Sequence, residues 1–282
     1  MKPNYLWTSS GARLRCIRSA CDGNVNWIFL PGGPGLGSES LRGLTQILKM
    51  PGMIWHLDLP GDGSNTKTDS GFSHWSRALV EAVKALPNVI LAAHSTGGMY
   101  ALSTPALSRL LTGLVLMDTA PDASWQNRFM QFAVNHPIDG ITELQKKYIK
   151  KPSNALLKQI TVASAPYSFT KRGLRKGVAL FKSLPFNYKA CEWSAKHFDS
   201  TYRAKWVPDN MPVLIFAGAK DRIIPLDFFI ASKKFQRKNI VFLRIKDAGH
   251  YPWIENPGQV AEAFNQYSRI VMARSAEKKG RR

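Results

Sequence analysis

Serine, histidine and aspartate occur in this chain at positions where together they could carry out acyl transfer. Ser95 lies in Asn88-Val-Ile-Leu-Ala-Ala-His-Ser-Thr-Gly-Gly98. The apolar run Val89 to Ala93 predicts a short buried strand, and Met99 to Leu111 predicts a helix. A serine held at a tight strand-to-helix turn presents its hydroxyl to solvent as a nucleophile. Such a turn needs small neighbours, here Ala93 and Gly97. The pattern is Gly-x-Ser-x-Gly with Ala93 in the first glycine's place. A serine that merely caps the following helix would look similar. The reading therefore turns on three further parts: a base, a group that orients the base, and donors for an oxyanion.

His250 is the candidate base. It sits in Asp247-Ala-Gly-His-Tyr-Pro252, after a strand predicted over Ile240 to Leu243 and before the last helix. Gly249 and Pro252 mark a sharp loop that could aim its ring inward. The other histidines are worse placed: His56 within a strand, His74 and His136 beside helices, His197 in an insertion. His94, next to the serine, reads as a pocket-lining residue. Asp221, in Gly218-Ala-Lys-Asp-Arg222 after the strand Val213 to Ala217, is the candidate orienting acid. Asp118, at the end of a strand over Gly113 to Met117, is its rival, and Asp221 is preferred as the acid in the chain order Ser, Asp, His. Asp247 reads as a cap of its own loop. The Thr96 N–H is one oxyanion donor. In Pro31-Gly-Gly-Pro-Gly35 the prolines have no N–H, so Gly32 and Gly33 are the available second donors.

These groups need a framework. Short apolar strands alternate with helices over Ser38 to Met50 (Ser38 as cap), Ser73 to Leu86, Leu226 to Phe235 and from about Glu255. That alternation predicts a mostly parallel sheet covered on both faces, with its site beyond the carboxyl ends of the strands. Between Pro121 and Lys205 the strands stop and aromatic-rich helices are predicted. The expected organisation is a core over 1–120 and 206–273, a helical cap over 121–205, and a basic, disordered tail over 274–282.

Five segments carry a family likeness: Leu30-Pro-Gly-Gly-Pro-Gly35, Asp58-Leu-Pro-Gly-Asp-Gly-Ser64, Ala93-His-Ser-Thr-Gly97, Gly218-Ala-Lys-Asp221 and Gly249-His250. On these the chain resembles α/β-hydrolase-fold proteins with a helical cap, in the branch of prolyl iminopeptidases and small serine esterases. The resemblance implies the α/β-hydrolase fold, a Ser95, Asp221 and His250 triad, and an oxyanion hole formed by Gly33 with Thr96. Two departures stand out: Pro31 replaces the family's histidine before the double glycine, and Ala93 replaces the usual glycine. The serine argues against dehalogenase and epoxide hydrolase activities of this fold, which use an aspartate nucleophile.

Charge and composition limit the partners. The chain has 282 residues with 39 Lys and Arg against 19 Asp and Glu, a net charge of +20. Residues 121–205 hold 15 basic and five acidic side chains. Such a field repels a cationic amine and favours a neutral or anionic ester or thioester as the small-molecule acyl substrate. An iminopeptidase would need a carboxylate for its amine, and Glu192 beside Trp193 is the best candidate. A non-catalytic ligand-binding homologue is the alternative from outside enzymes. No nucleic-acid-binding motif is present, so specific nucleic-acid binding is not expected and contact with anionic surfaces is weak and electrostatic. Cys16, Cys21 and Cys191 form no metal-binding pattern and read as packing residues of a cytoplasmic protein. Neither metal nor cofactor is expected.

Overall fold

The computed structural model describes residues 4–19, 25–66 and 71–280, with backbone alone over 275–280. The eight strands are β1 (Tyr5–Trp7), β2 (Arg13–Arg18), β3 (Asn26–Leu30), β4 (Met53–Asp58), β5 (Val89–His94), β6 (Leu111–Met117), β7 (Val213–Gly218) and β8 (Ile240–Ile245). They form one sheet in the order β1-β2-β4-β3-β5-β6-β7-β8. The first two strands are antiparallel, and the six from β4 to β8 run parallel.

The sheet is covered on both faces because its central strands are apolar at most positions and side chains alternate across it. Ile28, Leu30, Leu91, Ala93, Leu114 and Leu116 point into one core layer. That layer is closed by the helices α2 (Trp75–Lys84) and α3 (Thr96–Leu102). Trp27, Phe29, Ile90, Ala92, Val115 and Met117 point into the other. Its cover is α1 (Arg42–Ile47) together with the long C-terminal helix, whose Val260, Phe264 and Tyr267 are buried there.

Between β6 and β7 the chain leaves the sheet and builds α4 (Trp125–Asn135), α5 (Ile141–Lys150), α6 (Asn154–Ala163), α7 (Ala165–Ser168), α8 (Leu174–Ser183) and α9 (Tyr188–Ser194), followed by a π-helical turn. The two ends of this excursion are laced together: Ala123 N–H donates to Tyr202 O and Ala204 N–H to Pro121 O. Many of its aromatics pack on the core. Phe169 stacks on Tyr251 at 5.2 Å, and Phe198 lies against Tyr100 at 4.6 Å. The remaining helices are α10 (Asp227–Ile230), α11 (Pro252–Glu255) and α12 (Pro257–Gly280).

Several elements differ from the periodicity reading. The segment at Ser38 is a 3-10 turn before the short α1. Ser38 does not cap it, because its N–H donates to Asp58 Oδ1 and its hydroxyl accepts from Arg15. Of Leu226 to Phe235 only Asp227–Ile230, near its start, is α-helical, and Lys233–Phe235 is a 3-10 turn. The backbone of α12 continues to Gly280, so the tail expected to lack structure is helical as far as that residue. Its Ala, Glu, Lys and Arg are good helix formers and no proline interrupts them. Residues 281–282 and Cys21 lie outside the described residues. Cys16 and Cys191 are free thiols, the latter pushed up to about 12 by burial. Among the described residues, no helix is long and apolar enough to cross a membrane.

Candidate active site

Strand β5 ends at His94 and α3 begins at Thr96, leaving Ser95 alone to turn the chain. It does so at φ 51° and ψ −126°, a conformation that costs a non-glycine residue on the order of 1–3 kcal/mol. The turn is held from both sides: Ser95 N–H donates to Met117 O at 2.9 Å, and Ser95 O accepts from Gly98 N–H at 2.9 Å. Crowding explains the small residues. A Cβ on Gly97 would stand 2.3 Å from Pro31 O, and one on Gly32 would stand 2.5 Å from Ser95 Cβ. The Pro31 to Gly35 loop therefore passes directly over the serine. Among the described residues, neither Gly33 N–H nor Thr96 N–H meets an acceptor, the latter being at a helix start where amides are free.

His250 and Asp221 come to this serine from the loops after β8 and β7. His250 Nε2 lies 3.0 Å from Ser95 Oγ, and Nδ1 lies 2.9 Å from Asp221 Oδ2. Because a carboxylate only accepts, Nδ1 carries the hydrogen and Nε2 is left to accept from the hydroxyl. Asp221 is itself fixed, since its Oδ1 accepts from Ile223 N–H at 2.8 Å and Ile224 N–H at 3.1 Å.

The histidine loop has supports that the sequence reading missed. His250 N–H donates to Ser168 O of α7 at 2.8 Å, so the helical excursion holds His250 directly. Glu255, 2% exposed, accepts from Gly249 N–H at 2.7 Å through Oε2 and from Thr170 N–H at 2.9 Å through Oε1. A carboxylate in the apolar run Tyr251-Pro-Trp-Ile-Glu255 was the available signal. His94, expected to line the pocket, is packed against the histidine loop. It is 1% exposed, its Nε2–H donates to His250 O at 2.9 Å, and its ring lies 4.9 Å from those of His250, Tyr251 and Trp253. Burial first, then the neighbouring His250, keeps it well below the usual histidine range and hence neutral.

Asp118 does not hydrogen-bond to His250. It sits buried at the end of β6 at φ 47°, its Oδ1 accepting from Gly218 N–H at 2.9 Å. Asp247 is exposed and pairs with Lys220 at 2.6 Å. The glycine loop is tied from below by buried Asp62, whose Oδ1 accepts from Gly35 N–H at 2.7 Å and Gly37 N–H at 3.2 Å. Burial first, then the Asp58 charge, pushes Asp62 up to about 7 against the pull of those amides. Asn187 clamps the same loop from above, its N–H donating to Gly35 O at 2.8 Å. Glu192 is exposed on α9. Trp193 lines a cleft with Trp75, His197 and Arg203 whose walls do not include Ser95, Asp221 or His250. The one gathering of metal-type donors among the described residues is Asp118, Asp221 and His250. Both His250 nitrogens are engaged there, which leaves none for a cation.

A family model described as the alpha/beta hydrolase family matches residues 27–263, and the chain belongs to that family. No curated protein matches the sequence. Solved structures agree on the fold. An esterase from Exiguobacterium antarcticum aligns at TM-score 0.70 with 16% identity, covering 94% of this chain and 99% of its own. A proline iminopeptidase-related protein from Thermus thermophilus aligns at 0.69 with 19% identity, covering 95% and 97%. An alpha/beta fold family hydrolase from Bacillus anthracis str. Sterne aligns at 0.69 with 17% identity, covering 96% and 99%.

Proposed function

We propose that the protein is a serine hydrolase that cleaves a small carboxylic ester or thioester through an acyl-enzyme on Ser95. The observation that carries this reading is the continuous hydrogen-bonded line from Ser95 Oγ through His250 to Asp221, with the serine on a strained turn. In the reaction, Ser95 Oγ attacks the acyl carbon while His250 Nε2 takes its proton. Asp221 stabilises the resulting imidazolium without itself being protonated. The oxyanion is met by Gly33 N–H and Thr96 N–H, each worth about 2.7–4 kcal/mol in the transition state. His250 then gives its proton to the departing alcohol or thiol. Water, activated by the same nitrogen, releases the acid and restores the serine.

The ester preference rests on the basic excursion over 121–205, whose field disfavours a cationic amine. Glu192, the carboxylate that an aminopeptidase reading would use, is exposed on α9. A fluorophosphonate probe labels Ser95 in the wild type and not in Ser95→Ala. A folded wild type that takes no label refutes the enzyme reading. A panel of p-nitrophenyl esters beside prolyl amides ranks the substrates, and turnover of the amides alone refutes the ester assignment.

A further inference from the structure

We infer that Asp118 is a positioning residue, an un-ionised carboxylic acid whose Oδ2–H donates to the Asp221 carboxylate and thereby holds Asp221 against His250. The inference rests on the serine hydrolase reading for its kinetic meaning, though the state of Asp118 can be measured without it.

The argument begins with an unmatched atom. Asp118 is fully buried, and its Oδ1 has a partner in Gly218 N–H. Its Oδ2 is enclosed and meets no donor among the described residues. Its neighbour is the Asp221 side chain: ligating atoms of Asp118, Asp221 and His250 all lie within 4.8 Å of one another, and the two carboxyls act on each other. Two ionised carboxylates would place acceptor against acceptor in a dry site. A proton on one of them turns that repulsion into a charge-assisted hydrogen bond.

Asp221 is the poorer place for the proton. It already accepts from Ile223, Ile224 and His250, and each of these favours its charged form. Asp118 has one such donor and faces the Asp221 and Glu255 carboxylates from the β7 loop and α11, with His250 and Tyr251 on the β8 loop. Burial, then the Asp221 charge, raises it well above the usual carboxylate range. The backbone at Asp118 is left-handed, φ 47°, and is held there at some cost in strain. With the proton on Asp118 the group carries one negative charge, located on the residue that holds the base.

The test combines infrared difference spectroscopy with kinetics. Wild type minus Asp118→Asn at neutral pH shows a carbonyl stretch of an un-ionised carboxylic acid that shifts in D2O. Asp118→Leu, which can neither donate to Asp221 nor accept from Gly218 N–H, lowers the fluorophosphonate labelling rate by roughly ten- to hundredfold. Asp118→Asn, the neutral donor of the same shape, rescues that rate and leaves the acid limb of the kcat/KM profile in place. If Asp118 is ionised, the carbonyl band is absent and Asp118→Asn moves the acid limb to lower pH by about one to three units, because a negative charge beside the imidazolium has gone. Either result overturns the inference. Should Asp118→Asn not fold, the difference between wild type and Asp118→Leu followed to about pH 9 decides: the band persists if Asp118 holds its proton and is absent if Asp118 has an ordinary carboxylate range. An unlabelled wild type with the band present refutes the hydrolase reading and leaves the protonation state standing.

Discussion

Replacing Asp221 by asparagine isolates the histidine's tautomer from its position. In the wild type, Oδ1 accepts two main-chain N–H groups and Oδ2 faces His250 Nδ1. An asparagine has one oxygen for these two tasks. If that oxygen takes the Oδ1 place, the amide nitrogen faces Nδ1 and donates to it, so Nδ1 loses its hydrogen and Nε2–H points at Ser95 Oγ. The base is then the wrong tautomer, in place but unable to accept a proton. The opposite flip restores the tautomer but faces Ile223 N–H and Ile224 N–H with an amide donor. At about 1–3 kcal/mol for each unsatisfied buried group, that flip costs roughly 2–6 kcal/mol. The inactive arrangement is therefore the stable one. The expected loss is about 10⁴-fold in kcat, or roughly 5 kcal/mol, the size seen for the equivalent change in serine proteases. Fluorophosphonate labelling rate and p-nitrophenyl acetate turnover measure it, with circular dichroism showing that the fold persists. Retention of more than about a hundredth of the wild-type rate refutes the reasoning, because the tautomer argument requires at least two decades.

Two other outcomes test the supports of the site. Glu255→Ala strips the acceptor from Gly249 N–H and Thr170 N–H, lowering stability by about 2–6 kcal/mol and slowing labelling. An unchanged melting temperature removes Glu255 from this role. Asp62 is raised from about 3.9 in the unfolded chain to about 7, so the native state binds the extra proton and this residue's contribution weakens as pH rises from roughly 4 to 7. Asp62→Asn keeps an oxygen for Gly35 and Gly37 and removes the charge. Its stability relative to wild type rises by about 3 kcal/mol between pH 5 and 8 in urea melts, and parallel curves for the two proteins contradict the assignment.

Much of this architecture is legible in the chain because it depends on short-range pattern. The runs around Ile28, Leu91, Leu116 and Ile215 are apolar at every position, which only a strand covered on both faces requires. Gly32 and Gly97 betray close backbone approach, and the order of Ser95, Asp221 and His250 pointed to one site. Helix ends were less legible. Ser38 has the right type for a cap, yet Asp58 and Arg15, distant in sequence, claim its amide and hydroxyl. Residue type near a helix start cannot reveal such a competitor.

The alternating order of strands and helices, the serine turn, and the side chains able to supply a base and an acid are written in the chain itself. Those follow from local composition and from the chemistry each side chain permits. How they divide the work is set by folding. Asp221 and Asp118 each end a neighbouring strand, and nothing in their spacing separates them. Folding gives one three donors and the other a carboxylate to face. His94 touches the serine in sequence, but the fold sets it behind His250. Burial and hydrogen bonding over 100 to 156 residues of separation fix these roles, because a buried polar group takes its charge and its direction from what surrounds it.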